Sequence, residues 1–211
     1  MANDGKWREA WRALQRGQGG MPTGHEESQA VVRAMLSQRA SAFDEHVRNY
    51  LETDGRTGYI RDMTSSGGSE TMLHLILRTV GRKSGRVILV PLTYAAWADE
   101  YVLVASKGGY DKHPAWFLNL IARSDVEWQV LGKRFTGAWR VAEGEERERL
   151  WEYVSVYYRG YADYQARTAR ELPVVVLTPM GTIAERWALP ETPLRPFGDT
   201  AAGGGSPSSG I

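Results

Sequence analysis

Cysteine is absent from the 211 residues of this chain. This absence excludes disulfide bonds, iron–sulfur clusters, thiolate metal ligands and cysteine nucleophiles. The four histidines show no HExxH-like or paired spacing, so we predict no metal site. Runs of about twenty apolar residues, the length that spans a bilayer, are also missing, and the N-terminus lacks the apolar core of a secretory signal.

The chain also lacks an excess of positive or negative charge. The 26 Lys and Arg residues nearly balance the 25 Asp and Glu residues, and the formal net charge of +1 gives no general attraction to nucleic acid. Anion binding must therefore come from local clusters of Lys and Arg. Together these absences predict a cytoplasmic protein without a nucleic-acid partner, and 42% hydrophobic residues suffice for one well-buried core.

The chain divides into three parts. Residues 1–27 form an N-terminal extension, in which Trp7, Trp11 and Leu14 have the spacing of a basic amphipathic helix. Such a helix fits either peripheral membrane contact, which would make the protein membrane-associated, or docking on the chain's own domain. Docking is favoured, because glycines soon end the segment. Residues 190–211 are rich in Pro, Gly and Ser, which predicts a disordered tail.

Residues 28–189 form one predicted α+β domain. Apolar spacing predicts one or two helices between Ser28 and Thr53, which either cover the domain or pair two chains. Two later helices, one opened by Pro114 and one along EGEERERLWEYVSVYY, interrupt a series of short β-rich runs. Six such runs at this spacing indicate a barrel: Leu73–Thr79, Val87–Ala95, Tyr101–Ser106, Val126–Leu131, Phe135–Ala142 and Val174–Thr178.

Two glycine-containing segments have the composition of anion-binding loops. In TVGRKSGR, positive charge lies beside backbone amides that can hold phosphate or carboxylate groups, although an ordinary basic hairpin turn is the favoured interpretation of this segment alone. In ASKGGYDKHPAWFLNL, Ser106 ends a strand, glycines follow, and His113 and Pro114 begin a helix whose N-terminus attracts anions. His113 itself is interpreted as a capping or packing residue, and Trp116 and Leu120 as core.

A third segment, YYRGYADYQART, places three tyrosines three residues apart. If one helix continued through Gly160, the phenols of Tyr158, Tyr161 and Tyr164 would lie on neighbouring faces. Tyrosines can stack on a flat ring or donate to a developing oxyanion, but an aromatic packing seam is the favoured interpretation of the pattern alone.

In this order, the segments resemble the deazaflavin-dependent nitroreductase family, whose members are split β-barrel reductases that use coenzyme F420. The matching stretches are LRTVGRKSGR…PLTY, YVLVASKGGYDKHPAWFLNL, RFTGAWRVAEGEERERLW and YADYQARTARELPVVVLTP. The resemblance implies an FMN-binding-like split barrel with N-terminal helices and two helices packed on it. It also implies that F420 binds in a groove of this barrel.

The resemblance also implies which residues of this chain bind the cofactor. The phosphate and oligoglutamate tail of F420 would lie near Arg82, Lys83, Ser84, Gly85 and Arg86. The ring and ribityl region would be lined by Ser106, Lys107, Gly108 and Gly109, with Pro114, Ala115, Trp116 and Asn119 beneath it. One position departs from the family, since Ile88 stands where an arginine of a Pro-Arg-Thr-Thr run is common.

The implied activity is hydride transfer from reduced F420 to a small electron-poor acceptor, namely a quinone, a nitro compound or an activated alkene. The implied catalytic residues are Ser106, Tyr158, Tyr161 and Tyr164, of which Ser106 or a tyrosine would stabilise or protonate the reduced product. Two alternatives differ in cofactor or in turnover. One is an FMN-binding split-barrel flavoprotein, and the other is a noncatalytic protein that binds F420, a tetrapyrrole or a fatty acid.

Overall fold

The computed structural model describes residues 21, 24–64, 68–69 and 71–189. Within these residues it contains an antiparallel sheet and four α-helices. The helices are α1 His25–Glu52, α2 Ala115–Ile121, α3 Gly144–Tyr157 and α4 Gly160–Ala166, with a 3₁₀ turn at Lys107–Gly109. The strands are β1 Ile60–Arg61, β2 Met72–Val80, β3 Val87–Thr93, β4 Ala95–Trp97, β5 Glu100–Val104, β6 Val126–Val130, β7 Lys133–Val141 and β8 Val174–Ile183.

The sheet closes because one run of chain changes partners at Tyr94. Strands β2, β6, β7, β8, β5 and β4 pair in that order, and β3 pairs with the opposite edge of β2. Since β3 and β4 are separated only by Tyr94, the run leaves β2 and continues along β5. The Tyr94 amide donates to the Leu73 carbonyl oxygen at 3.1 Å at this corner. The sheet is thereby rolled into the split barrel that the sequence predicted.

Both faces of the central strands are buried. Along β8, Val174 and Val176 face the cluster under α3 and α4, whereas Val175 and Leu177 face the barrel interior around Trp128. Successive side chains of a strand point to opposite faces, so a strand covered on both sides becomes a continuous apolar run. This geometry explains why the segment VVVL is fully buried.

The helices differ in detail from the sequence prediction. Between Ser28 and Thr53 there is one continuous helix, α1, which begins three residues earlier at His25. Three helices rather than two follow it, because the helical stretch EGEERERLWEYVSVYY ends at Tyr157 and a separate helix, α4, starts at Gly160. The predicted strand Val87–Ala95 is likewise divided at Tyr94. Strand β1 had no counterpart in the prediction.

Two predictions fall on residues outside the described part of the chain. These are the amphipathic helix within residues 1–20 and the disordered tail 190–211. Among the described residues, no helix is both long enough and apolar enough to cross a membrane.

Candidate active site

The loop after β5, residues 105–113, has an unusual backbone. Lys107, Gly108 and Gly109 have φ values of 49°, 66° and 80°, all in the left-handed region. A left-handed conformation is costly for a residue with a side chain, so Lys107 is held there by its surroundings. Gly109 cannot be replaced without a clash, because an added Cβ would lie 2.5 Å from the Tyr164 carbonyl oxygen.

Two side chains that the sequence did not reveal hold this loop in place. The Gln29 amide of α1 donates to the carbonyl oxygens of Gly109 at 2.9 Å and Arg167 at 3.0 Å, and its oxygen accepts from the Asp111 amide at 2.9 Å. From the other side, the Arg170 guanidinium contacts several carbonyl oxygens of the loop. The loop is therefore clamped between α1 and the segment after α4.

The loop concentrates positive charge. Burial lowers the pKa of the Lys107 ammonium, and the neighbouring Arg170 and Lys112 lower it further. Burial, followed by the nearby Arg170 charge, also lowers the pKa of His113. Burial disfavours a charge of either sign, but the contributions of Arg170 and Lys112 reflect a positive local potential, which favours an anion or an electron-rich oxygen.

The basic turn joins β2 to β3 and lies on the surface. Its side chains Arg82, Lys83, Ser84 and Arg86 are exposed. Its shape is fixed by the Gly81 amide donating to the Arg86 carbonyl oxygen and the Gly85 amide donating to the Gly81 carbonyl oxygen, both at 2.8 Å. The turn thus has a hydrogen-bonded backbone and exposes the cationic side chains of Arg82, Lys83 and Arg86 to solvent.

Helix α2 connects the loop to the basic turn. At its start, Pro114 is the N-cap residue, and the ring of His113 packs against Phe117 at 5.2 Å between centroids. Toward its end, the Asn119 side-chain oxygen accepts from the Arg82 amide at 3.2 Å. Trp116 and Leu120 are buried, which confirms that they belong to the core, and Ala115 is half-buried.

The three tyrosines meet in space, but not on one helix. Tyr158 caps α3, and Tyr161 and Tyr164 lie on α4. Their side chains are 3%, 6% and 8% exposed, and the hydroxyls of Tyr158 and Tyr164 are 2.8 Å apart. Burial, with the neighbouring phenols adding to it, raises the pKa of Tyr161. The cluster is therefore a buried aromatic group that packs on the sheet and contains one hydrogen bond, between Tyr158 and Tyr164.

The structure brings the predicted site residues together in two groups. The tyrosine cluster adjoins the loop, because the Tyr164 carbonyl contacts Gly109 and the Arg167 guanidinium lies 5.1 Å from the Tyr164 ring centroid. The basic turn adjoins the far end of α2. Among the described residues, no cluster of three or more His, Asp or Glu could hold a metal ion.

Comparisons with known proteins identify the family of this chain. Residues 42–179, which include the turn, the loop and the tyrosine cluster, match the model of the F420H(2)-dependent quinone reductase family. An F420H(2)-dependent quinone reductase of Mycobacterium tuberculosis strain H37Rv is 38% identical over 136 residues, which cover 63% of this chain and 87% of that protein.

Two solved structures are similar as well. One, described as an F420-H2 dependent reductase, is 39% identical, covers 49% of this chain and 92% of its own, and gives a TM-score of 0.46. Another, described as a domain-swapped dimer, is 35% identical, covers 63% of this chain and 94% of its own, and gives a TM-score of 0.49. The family model spans more than half of the chain, from within α1 to β8. The chain therefore belongs to the F420H(2)-dependent quinone reductase family.

Proposed function

We propose that this chain transfers a hydride from F420H2 to a quinone at the loop 105–113, with the acidic tail of the cofactor held by the basic turn. The family assignment makes the chain an F420H2-dependent reductase. The observation that supports this location is the position of α2, which links a loop rich in positive charge to an exposed basic turn through the Asn119 contact with Arg82.

The residues present fit the chemistry of F420. Its tail carries phosphate and carboxylate groups, which form charge-assisted hydrogen bonds with Arg and Lys. The turn offers these donors on the surface, and a Cβ added at Gly85 would meet no atom within 4 Å, so a ligand can approach the backbone there. Gly108 differs from Gly85, because it is half-buried and an added Cβ would be in van der Waals contact with Val32 at 3.6 Å.

In the proposed mechanism, bound F420H2 supplies the hydride. Ser106 and the loop backbone orient the ring region, and the charge of Lys107 and its cationic neighbours stabilises negative charge on the oxygen of the acceptor. The Ser106 hydroxyl is the proposed hydrogen-bond donor to that oxygen. Quinones are the proposed main acceptors, and nitro compounds and activated alkenes are electron-poor enough to use the same site.

The proposed role of the tyrosines is to close the acceptor pocket. In the described structure the hydroxyls of Tyr158 and Tyr164 bond to each other, so one hydroxyl uses its proton in this pair, whereas the proton of the other is not used in it and is the proposed donor to the acceptor. The bond between the two tyrosines is kept when the acceptor binds, so neither hydroxyl pays the cost of losing it. The role differs from simple packing because it requires the hydroxyl groups and not only the rings.

Fluorescence titration of the purified protein with F420 and, separately, with FMN tests this function first. The absorbance decay of F420H2 with menadione then measures turnover. Preferential binding of F420 and acceptor-dependent oxidation are expected. Preference for FMN would support a flavoprotein instead, and F420 binding without oxidation of F420H2 by any acceptor would support a carrier.

Single substitutions test the assigned roles. Ser106→Ala is expected to lower kcat by about a hundredfold with little change in F420 affinity, since a positioned donor contributes about two to three orders of magnitude. Tyr153→Phe is a control that also removes one hydroxyl, because the Tyr153 hydroxyl bonds to the Ala96 carbonyl oxygen and belongs neither to the loop nor to the three tyrosines. Unchanged turnover in Ser106→Ala would place the hydrogen-bond donor to the acceptor elsewhere.

A further inference from the structure

Arg170 lies between α4 and β8 and reaches back to the loop after β5. Its guanidinium donates to three backbone carbonyl oxygens: from Nη2 to Ser106 at 2.7 Å, from Nε to Tyr110 at 2.8 Å and from Nη1 to Ala105 at 3.2 Å. Nη1 also lies 3.3 Å from His113 Nδ1. One half-buried side chain thus contacts both ends of the loop.

Only an arginine can make this set of contacts. The guanidinium is planar and carries five N–H donors in a fixed fork, whereas the lysine ammonium is a single point with three donors. Three carbonyl groups that point toward one position would repel one another without a cation between them. Their common direction therefore depends on Arg170.

The loop needs contacts such as those of Arg170 because its backbone conformation is unfavourable. Lys107 has a φ of 49°, which residues with a side chain rarely adopt, and two left-handed glycines follow it. A segment of this kind samples other conformations unless external contacts hold it. Gln29, Arg167 and Thr168 also contact the loop, so loss of Arg170 would loosen the loop rather than detach it.

We propose that Arg170 is a positioning residue, which holds the loop 105–113 in the conformation that binds F420 without itself touching the cofactor. The proposal rests on the proposed function and adds a residue to it. The apparent affinity of a ligand falls in proportion to the fraction of protein in the binding conformation. If loss of the fork leaves about a tenth of the loop in that conformation, the dissociation constant for F420 rises about tenfold.

Two variants separate the fork from the charge. Arg170→Ala removes both, and Arg170→Lys keeps the charge but not the geometry. Arg147→Ala is the matched control, since Arg147 is also half-buried, lies 5.3 Å from the Trp151 ring centroid and pairs at 3.0 Å with Glu171, the residue after Arg170, rather than with a loop carbonyl. Each variant is measured for F420 affinity by fluorescence, for amide hydrogen exchange of residues 105–113, and for thermal stability.

Both Arg170 variants are expected to bind F420 about tenfold more weakly and to exchange the loop amides faster, while the amides of β6 and β7 keep their protection. Millimolar guanidinium should restore part of the affinity of Arg170→Ala. Arg147→Ala should lose thermal stability with no change in affinity. If Arg170→Lys binds F420 like the wild type, or if Arg170→Ala loses only thermal stability, the proposal is wrong.

Failure of the proposed function gives a different result. In that case the wild-type protein would not bind F420 or oxidise F420H2, whatever the variants do. Hydrogen exchange of the loop needs no cofactor, so it still tests whether the Arg170 fork holds the loop.

Discussion

The free energy of unfolding should fall steeply as the pH is lowered, because two buried histidines are neutral in the folded chain. His46 Nδ1 lies 2.8 Å from Arg61 Nη1, and its Nε2 lies 2.9 Å from the Gly58 carbonyl oxygen. Since arginine can only donate and a carbonyl can only accept, this arrangement fits the neutral ring with its proton on Nε2. A second proton on Nδ1 would point at a guanidinium.

The pKa values give the direction and the pH range of the effect. Burial, followed by the Arg61 charge, lowers the pKa of His46 to about 4. Burial, followed by the neighbouring His46, lowers the pKa of His74 to about 3. A histidine in the unfolded chain titrates near 6.5, so below that pH the unfolded state binds more protons and stability falls until the folded pKa is reached.

The magnitude follows from about 1.4 kcal/mol per pH unit for each proton. Between about pH 7 and about pH 5, each histidine contributes a loss of about 2 kcal/mol, hence about 4 kcal/mol for the pair. Such a loss is a large part of the 5–15 kcal/mol or so that stabilises a typical domain. Few carboxylates titrate in this range, so the slope reports mainly the histidines.

Urea unfolding at a series of pH values measures this slope. The double variant His46→Gln/His74→Gln should have lower stability at neutral pH and a much shallower profile down to about pH 5, because only the smaller contribution of the less buried His113 is left. His25→Gln is the control, because the His25 side chain is 62% exposed. A wild-type loss below about 1 kcal/mol, or an equal slope in the double variant, would refute the reasoning.

Three further outcomes are expected. Gly109→Ala, whose Cβ would lie 2.5 Å from the Tyr164 carbonyl oxygen, should lower the free energy of unfolding by about 2 kcal/mol in urea and weaken F420 binding. Tyr158→Phe removes the hydroxyl contact with Tyr164 and should cost about 1 kcal/mol, so an unchanged melting temperature would contradict it. Lys83→Ala on the exposed turn should leave stability within about 0.5 kcal/mol of the wild type but weaken F420 binding and its dependence on salt.

The strands and the buried helix were predictable from the sequence because each carries a local signal. The apolar runs of β2 and β8 have the length and composition of strands covered on both faces, and Trp116 and Leu120 are one helical turn apart. The basic turn and the loop could also be located from a local signal, because both segments contain glycine and lysine. The closure of the barrel could not be predicted from a local signal, because the change of strand partner at Tyr94 depends on strands that are distant in sequence.

The clamp around the loop could not be predicted for the same reason. Gln29 is 80 residues from Gly109, and Arg170 is 64 residues from Ser106. Neither side chain differs in its local pattern from a solvent-exposed polar residue. A long-range hydrogen bond to a carbonyl leaves no periodicity in the sequence, so only the fold reveals it.

The tyrosine cluster shows why a correct grouping can follow from an incorrect premise. The interval of three residues between the tyrosines led to the prediction that the phenols are neighbours on one helix. The helix instead ends before Tyr158, whose φ of −135° and ψ of 94° are extended. The rings meet because α3 and α4 pack on the same cluster of apolar side chains, with centroids 4.7 Å apart for Tyr158 and Tyr161. Tertiary packing therefore determines which hydroxyl can turn toward an acceptor. Since Tyr158 and Tyr164 share one hydrogen bond, a catalytic role for either should disturb the other, and their phenylalanine variants should be non-additive in turnover.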